Sequence, residues 1–546
     1  MFFIKMGRGK MAAKIRFGIL FLPMILLALS SSAQIAPNFF TTSPPNPVGS
    51  GARAMGVGGA FIAVGDDATA ASWNPACLIQ LEKPEATFVF SEDFREIDGN
   101  NVDFSGVNYL AESYPFTIGG VNMIASLNYQ RPYDLHCKYQ SDKISDSQAG
   151  YSDLVAQFLG FGTGDPADLI GQYNVISLSR AYNQYSQDLI KSSQLGELGA
   201  ISPAFAIQIV PQFSVGFTYN FWKDGWAGRN LHQKYDQRAS GSHQDEFGLA
   251  WDMNGDCTCN GGHQCSDIAP EVQWVDDPAC VEGYVPQSVV DDAYGGPGMG
   301  PTNPELSNLA DYTTRTIIDQ KTSLSGQNFN VGFLWDITGR WSVAGVYRSP
   351  LKLDADRRVK WSYEQSSSNQ AFNIPETSGI ETYDDRVYFP PSYGLGVGFR
   401  YSDALTFPSD VTRTDWDQYL YKPEDGDKFS LVNGLKKSKA DVDPTYTARI
   451  GAEYLLIKPK YVVPFRAGFF YDPEPAKDHP DNVFGVTIGS GFVYKWLIMD
   501  LTYYYRWGND IILAATSDVE HEELLEVKKG DLSQHQVMFS TIIHFQ

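Results

Sequence analysis

From about position 85 onward, apolar and polar residues alternate with a period of two along most of the chain. At the C-terminal end Val537, Phe539, Thr541, Ile543 and Phe545 share one face, while Met538, Ser540, Ile542 and His544 share the other. The same rhythm runs through Phe484, Val486, Ile488, Phe492 and Tyr494. After a tight turn it resumes through Leu497, Met499, Leu501, Tyr503, Tyr505 and Trp507. Opposite these lie Gly485, Gly489, Asp500, Thr502 and Arg506. A bulky apolar face backed by a small or polar one suits a strand that meets lipid on one side and a wet lumen on the other.

Collected in this way, strands are predicted at roughly 85–95, 104–116, 119–130, 199–210, 213–222, 325–336, 340–362, 389–401, 404–414, 445–456, 461–471, 482–494, 496–507 and 534–545, about fourteen in all. The connections alternate. Those near 117, 211, 337, 402, 457 and 495 are tight turns, and those near 96, 131–198, 223–324, 363–388, 415–444, 472–481 and 508–533 are longer. Short turns at one end and long loops at the other, with an even strand count, predict an all-β fold: a transmembrane antiparallel β-barrel with both termini on the short-turn, periplasmic side. Trp335, Trp341, Tyr461, Tyr494 and Trp496 fall near the short turns, and Trp222, Trp226, Trp416 and Trp507 near the other end, as two interfacial girdles would require. A soluble β-sandwich also alternates, but it rarely places bulky aromatics at both ends of so many strands.

Composition sharpens this picture. The chain has 546 residues, 14% of them aromatic and only 19% charged, with 50 glycines, which favours one large β-structure over several small domains. Beyond the N-terminus no stretch of about 20 apolar residues occurs, so no helical span is expected. At the N-terminus Lys5, Arg8, Lys10, Lys14 and Arg16 precede an apolar run from Phe17 to Leu29 and the small residues Ser31, Ser32 and Ala33. That pattern is a secretory signal peptide over 1–33, with the mature chain beginning at Gln34. Losing those five cations takes the formal charge from −22 to −27, which argues against nucleic acid as a partner.

The stretch Gly51-Ala-Arg-Ala-Met-Gly-Val-Gly-Gly-Ala60, continuing through Asp66-Asp67-Ala68 to Trp73-Asn74-Pro75-Ala76, resembles the N-terminal hatch of the FadL/TodX family of outer-membrane hydrophobic-compound transporters. Later stretches are similar to that family's barrel: Val346-Tyr347-Arg348-Ser349-Pro350-Leu351-Lys352, Pro391-Ser392-Tyr393-Gly394-Leu395-Gly396, Thr414-Asp415-Trp416, Arg449-Ile450-Gly451-Ala452-Glu453-Tyr454, and Arg466-Ala467-Gly468-Phe469 with Tyr471-Asp472-Pro473. The resemblance implies a fourteen-stranded barrel over 85–546 in the outer membrane of a Gram-negative-type bacterium, plugged by a hatch over 34–84. It also implies passive, ligand-gated uptake of long-chain fatty acids or other small hydrophobic compounds. Hatch and gating candidates are Gly56, Gly58, Gly59, Asp66, Asp67, Asn74, Pro75 and Ala76. Glycines let a chain bend tightly inside a barrel, and Asn74-Pro75 favours a fixed turn. Barrels of the PorV type, which serve protein secretion or surface assembly, open with a similar segment and give the alternative reading. The long loops near 131–198 and 223–324 depart from the better-known FadL/TodX members, so no capture site is carried over.

Strand parity points Arg348, Arg400, Arg449, Arg466 and Arg506 inward, with Glu453, Asp472 and Asp500 on the same surface. An arginine fork can hold a fatty-acid carboxylate. The same charges can instead pair across strands, as Glu453 and Arg466 can around the turn near 457–460. Cys257, Cys259, Cys265 and Cys280 crowd the longest loop, and loop disulfides of open connectivity are the simplest reading in an oxidising compartment. Zinc through His263 is a weaker one. Asp252, Asn254 and Asp256 begin like a calcium loop, but Cys257 replaces the glycine and no glutamate closes the span. No catalytic motif sits in a matching context. The expectation is therefore a monomeric, non-enzymatic barrel without a cofactor, whose partners are a hydrophobic small molecule and the surrounding lipid and lipopolysaccharide.

Overall fold

The computed structural model describes residues 50–140, 144–156, 175–226, 229–252, 274–276, 284–286, 308–368, 373–476, 479–518 and 523–545. The signal-peptide expectation over 1–33 lies outside them. Fourteen strands close into a barrel: β1 (Glu85–Ile97), β2 (Asn100–Ile118), β3 (Val121–Asp134), β4 (Glu197–Val210), β5 (Phe213–Asp224), β6 (Asn308–Thr338), β7 (Trp341–Arg348), β8 (Ser392–Ser402), β9 (Leu405–Thr414), β10 (Thr445–Ile457), β11 (Val462–Tyr471), β12 (Val483–Tyr494), β13 (Leu497–Asp518) and β14 (Glu523–His544). Each pairs antiparallel with its neighbour, and β14 returns to β1 with Glu85 opposite His544 and Ile97 opposite Leu532. Closure leaves no unpaired edge in the bilayer, the condition a spanning sheet must meet.

Burial follows the alternation read from the sequence. In β12 and β13, Val486, Ile488, Leu501 and Tyr503 face outward and are exposed, whereas Thr487, Asp500 and Thr502 face inward and are buried. Trp335, Trp341, Tyr461, Tyr494 and Trp496 stand exposed around the short turns as the lower girdle. At the other end the expectation needs correcting. Trp222 and Trp416 are 6% and 1% exposed and point into the lumen, while Trp226 remains outside. For Trp222 the reason is parity, since in β5 it is Phe221, one residue earlier, that faces out; Trp416 stands in a 3-10 turn after β9, Trp416–Gln418, that folds inward.

Three further departures concern the connections. The gap near 96 is not a longer loop but the two-residue turn Asp98-Gly99, with φ of 48° and 75°. The expected strand 340–362 is two strands. β7 ends at Arg348, Ser349-Pro350 interrupts it, and Leu351–Ser367 continues away from the barrel, paired with the upper half of β6. The expected long loops contain strands of their own. Leu231–Asp252 and Leu351–Ser367 flank β6, and Val175–Leu195 and Ile374–Phe389 extend this sheet on either side. With 31 residues, β6 spans roughly 100 Å at the usual rise, so it both crosses the membrane and forms the spine of an extracellular sheet. The polar composition of its upper half hid this continuation from a search for lipid-facing alternation.

β2 carries one extra residue. Val89 lies opposite Tyr109 and Phe90 opposite Val107, so Asn108 is a bulge that reverses which residues of β2 face inward.

Candidate functional site: the plug and the lumen wall

Residues 50–81 run inside the barrel as α1 (Ala52–Gly56), α2 (Ala70–Trp73) and a 3-10 turn, Pro75–Gln80. Small side chains make this possible: Ala52, Ala54, Ala60, Ala68, Ala70, Ala71 and Ala76 are all fully buried. The chain reverses after α1 through Gly58 and Gly59, both at φ 74°, a conformation that residues with a Cβ adopt only under strain. The wall yields room in turn. A Cβ on Gly468 of β11 would collide with the backbone of Gly58, and one on Gly216 of β5 with the backbone of Pro75 and Ala76.

Asn74 ties the segment to itself and to the wall. Its Oδ1 accepts from the Ala76 amide at 3.1 Å, capping the 3-10 turn that Pro75 opens, while its Nδ2 donates to the carbonyls of Ile62 (2.9 Å) and of Phe333 in β6 (3.0 Å). Other wall side chains hold the plug backbone from many strands. Thr487 accepts from the Gly58 amide and donates to the Gly56 carbonyl, both at 3.0 Å, and Asp410 accepts from the amides of Phe61 (2.6 Å) and Ile62 (2.9 Å). Ser214 donates to the Ala76 carbonyl and Thr218 to that of Ala71. Glu85 accepts from the Ala68 amide at 2.7 Å.

A chain of charges joins plug to wall. Arg53 of α1 pairs with Asp66 and, at 3.0 Å, with Glu453 of β10; Glu453 takes Arg466 of β11 at 2.7 Å, and Arg466 reaches Asp500 of β13 at 2.6 Å. Beside Asp66, Asp67 is buried and accepts from the Thr69 amide and hydroxyl. Burial, reinforced by the nearby Glu85 and Asp66 charges and opposed by Arg53, pushes its carboxyl up to about 7. Gly56, Gly58, Gly59, Asp66, Asp67, Asn74, Pro75 and Ala76 thus all stand in the plug.

Of the five lumen arginines, four are engaged. Arg348 donates to the Trp73 carbonyl at 2.8 Å. Arg449 donates to the Gly58 carbonyl at 3.3 Å and lies 3.7 Å from Asp472. Arg466 is held as above, and Arg506 meets Glu474 at 2.9 Å. Arg400 is exposed near the short β8–β9 turn, away from this group. Cys257, Cys259, Cys265 and Cys280, with Asn254 and Asp256 and the side chain of Asp252, lie outside the described residues.

Sequence reading missed Asp410, Glu85 and the apolar cap. Asp410 and Glu85 were legible as acids at inward positions of their strands. The cap depends on tertiary contact. On the long-loop side of the plug, Tyr133, Leu198, Trp222 and Leu324 of the barrel strands and Leu351 and Phe389 of the strands above them pack with Trp416, Tyr419 and Leu435, which the 415–444 connection folds inward. The rings of Tyr133 lie 5.3 Å from Trp222 and 4.9 Å from Phe389, and Trp416 Nε1 donates to Thr445 Oγ1 at 2.7 Å.

A family described as outer membrane protein transport protein (OMPP1/FadL/TodX) matches residues 31–518. Solved structures are similar over most of the chain. A Pseudomonas aeruginosa FadL homologue shares 13% identity, covering 93% of this chain and 100% of its own, at a TM-score of 0.47. A CymD monoaromatic hydrocarbon channel shares 15%, covering 92% and 99%, at 0.46. The Pseudomonas putida toluene transporter TodX shares 13%, covering 92% and 100%, at 0.44. Among curated proteins none matches. With its match spanning nearly the whole length, this plugged outer-membrane barrel belongs to the OMPP1/FadL/TodX family of outer membrane transport proteins.

Proposed function

We propose that the barrel takes up small hydrophobic compounds by passive diffusion, with the plug formed by residues 50–81 as a gate that ligand arrival displaces. The observation that carries this reading is the vertical order of the lumen: an apolar cap of Trp, Tyr, Phe and Leu side chains stands above a plug held by many separate polar contacts. An apolar ligand gains about 0.8 kcal/mol per buried methylene on entering such a cap. Individual hydrogen bonds of about 1 kcal/mol each allow the plug to release in steps.

Within that class, neutral compounds such as monoaromatic hydrocarbons fit better than carboxylates. Arg348, Arg449, Arg466 and Arg506 already face carbonyls or carboxylates of the protein, and freeing a buried guanidinium to hold a fatty acid would strand its partner. The test is uptake of labelled toluene and labelled oleate into proteoliposomes. Faster entry than into empty liposomes, with toluene favoured, is the expected result. Equal rates in both preparations, or co-purification of a stoichiometric polypeptide with no bound lipid, overturn the reading in favour of a secretion component.

A further inference from the structure

Toward its long-loop end, the outward surface from β5 to β8 carries a belt of rings. Phe217, Phe329, Tyr347 and Tyr393 follow one another around the wall, their centroids 5.9, 6.2 and 5.3 Å apart, and Phe329 and Tyr393 are exposed. Aromatic side chains gather where hydrocarbon gives way to headgroups. Two residues from Phe329 toward the long-loop end, Gln327 lies between Phe221 of β5 and Lys352 of the strand Leu351–Ser367. Lys352 therefore stands one same-face step, about 7 Å, beyond the rings and at headgroup depth.

Five cations meet at this level. Lys352 lies opposite Tyr388, whose ring carries the Lys428 ammonium 4.1 Å from its centre. Arg386 lies directly opposite Lys422, and Ser325 of β6 separates Lys223 from Asp354. Asp354 is the carboxylate set among them, 3.4 Å from Lys352 and 3.7 Å from Arg386. Among the described residues no carboxylate lies within ion-pair distance of Lys223, Lys422 or Lys428. Asp356, Asp384 and Glu424 stand one step farther from the membrane. Like charges directly opposite each other across a ladder are destabilising, and the chain as a whole carries a formal charge of −22, so the cluster runs against its composition. What the arrangement lacks is an anion.

We propose that this patch holds the lipid moiety of lipopolysaccharide, a glycolipid with two phosphate monoesters, its phosphates among the five cations and its acyl chains on Phe221, Phe329 and Tyr393. Three features select this occupant. Depth places the cations one step above the rings on which acyl chains end. The long-loop end faces the outer leaflet, which is built of this glycolipid. Charge supplies the third: five cations around one carboxylate leave an excess of four. A phosphate monoester carries about −1.5 to −2 near neutral pH, so two of them offset that excess and the single phosphodiester of an ordinary phospholipid does not.

The test is native mass spectrometry of the full barrel released from micelles holding equal amounts of diphosphoryl lipid A, its monophosphoryl form with the same acyl chains, and phosphatidylglycerol. Diphosphoryl lipid A should be retained as a single adduct on the order of tenfold over either competitor, a ratio that one charge-assisted hydrogen bond supplies. Changing the three cations without a carboxylate partner together, Lys223→Gln, Lys422→Gln and Lys428→Gln, should abolish that preference. The variant should keep heat-modifiable electrophoretic mobility, the sign of a closed barrel. Arginine at the same three positions should retain the preference, as should Lys458→Gln with Lys460→Gln at the short β10–β11 turn. Equal retention of the three lipids, an unchanged preference in the triple glutamine variant, or equal binding of the deacylated sugar bisphosphate overturns the proposal. Lipid retention is read without any transport assay, so this outcome is independent of the uptake reading.

Discussion

Glu453 Oε2 accepts from Arg466 Nε at 2.7 Å and from Arg53 Nε at 3.0 Å, so one wall carboxylate holds a wall guanidinium and a plug guanidinium together. Removing it leaves two cations in a largely buried place. Glu453→Ala is therefore expected to weaken plug docking by about 3 kcal/mol, the cost of breaking a buried ion pair from one side. Cys77, fully buried in the plug and donating to the Ile62 carbonyl, is a built-in reporter. Mass-mapped maleimide labelling at Cys77 should rise in Glu453→Ala and stay low in the parent. Equal labelling would show that the pair does not hold the plug.

The wall glycines make a steric counterpart. A methyl group at Gly468 would press on the Gly58 backbone, whereas one at Gly339 meets nothing within 4 Å. Overpacking of this kind costs about 1–3 kcal/mol. Gly468→Ala should raise Cys77 labelling and membrane conductance with the barrel still closed, and Gly339→Ala should change neither. Conductance traces in planar bilayers check both.

These two predictions also mark what the sequence disclosed. The barrel strands were legible because lipid on one face and lumen on the other impose a period of two on residues such as Val486, Thr487 and Ile488. The plug was legible through its glycines and Asn74-Pro75. The upper half of β6 and the strand Leu351–Ser367 were not, because outside the bilayer both faces of a sheet can be polar and the period loses its contrast. The inward turn of Trp222 was hidden for another reason: its girdle placement rested on position along the chain, and a shift of one residue reverses a strand's face, while Trp416 lies beyond β9 in a 3-10 turn that the 415–444 connection folds inward. That Arg53 meets Glu453 is a contact 400 residues apart in sequence, which no local pattern encodes.

Asp67 gives the plug a pH dependence. Its carboxyl, ordinarily near 4, rises to about 7 when buried beside Thr69, with Arg53, Asp66 and Glu85 close by. The docked state then binds a proton that the released state does not, so docking is fully favoured below about 4 and loses that contribution as pH rises through about 7. Cys77 labelling, corrected for the intrinsic pH dependence of thiol reactivity with an unfolded control, should be higher at pH 8 than at pH 5.5. Asp67→Asn should flatten the difference. A plug that docks more tightly at pH 8 would contradict the assignment.

Arg449 separates the two roles a lumen cation can have. Its guanidinium lies 3.3 Å from the Gly58 carbonyl and 3.7 Å from Asp472, and it stacks over Phe470 with 5.5 Å to the ring centre. As a tie between plug and wall, its loss loosens the gate for every ligand alike. As a carboxylate receptor, its loss slows fatty acids and spares neutral compounds. Because all three contacts are internal, Arg449→Gln is expected to raise toluene and oleate uptake together, their ratio holding within about twofold, a difference below 0.5 kcal/mol. The measurement is paired uptake into the same proteoliposomes. A selective fall in oleate entry would reassign Arg449 to the ligand path and bring acids back as the preferred cargo.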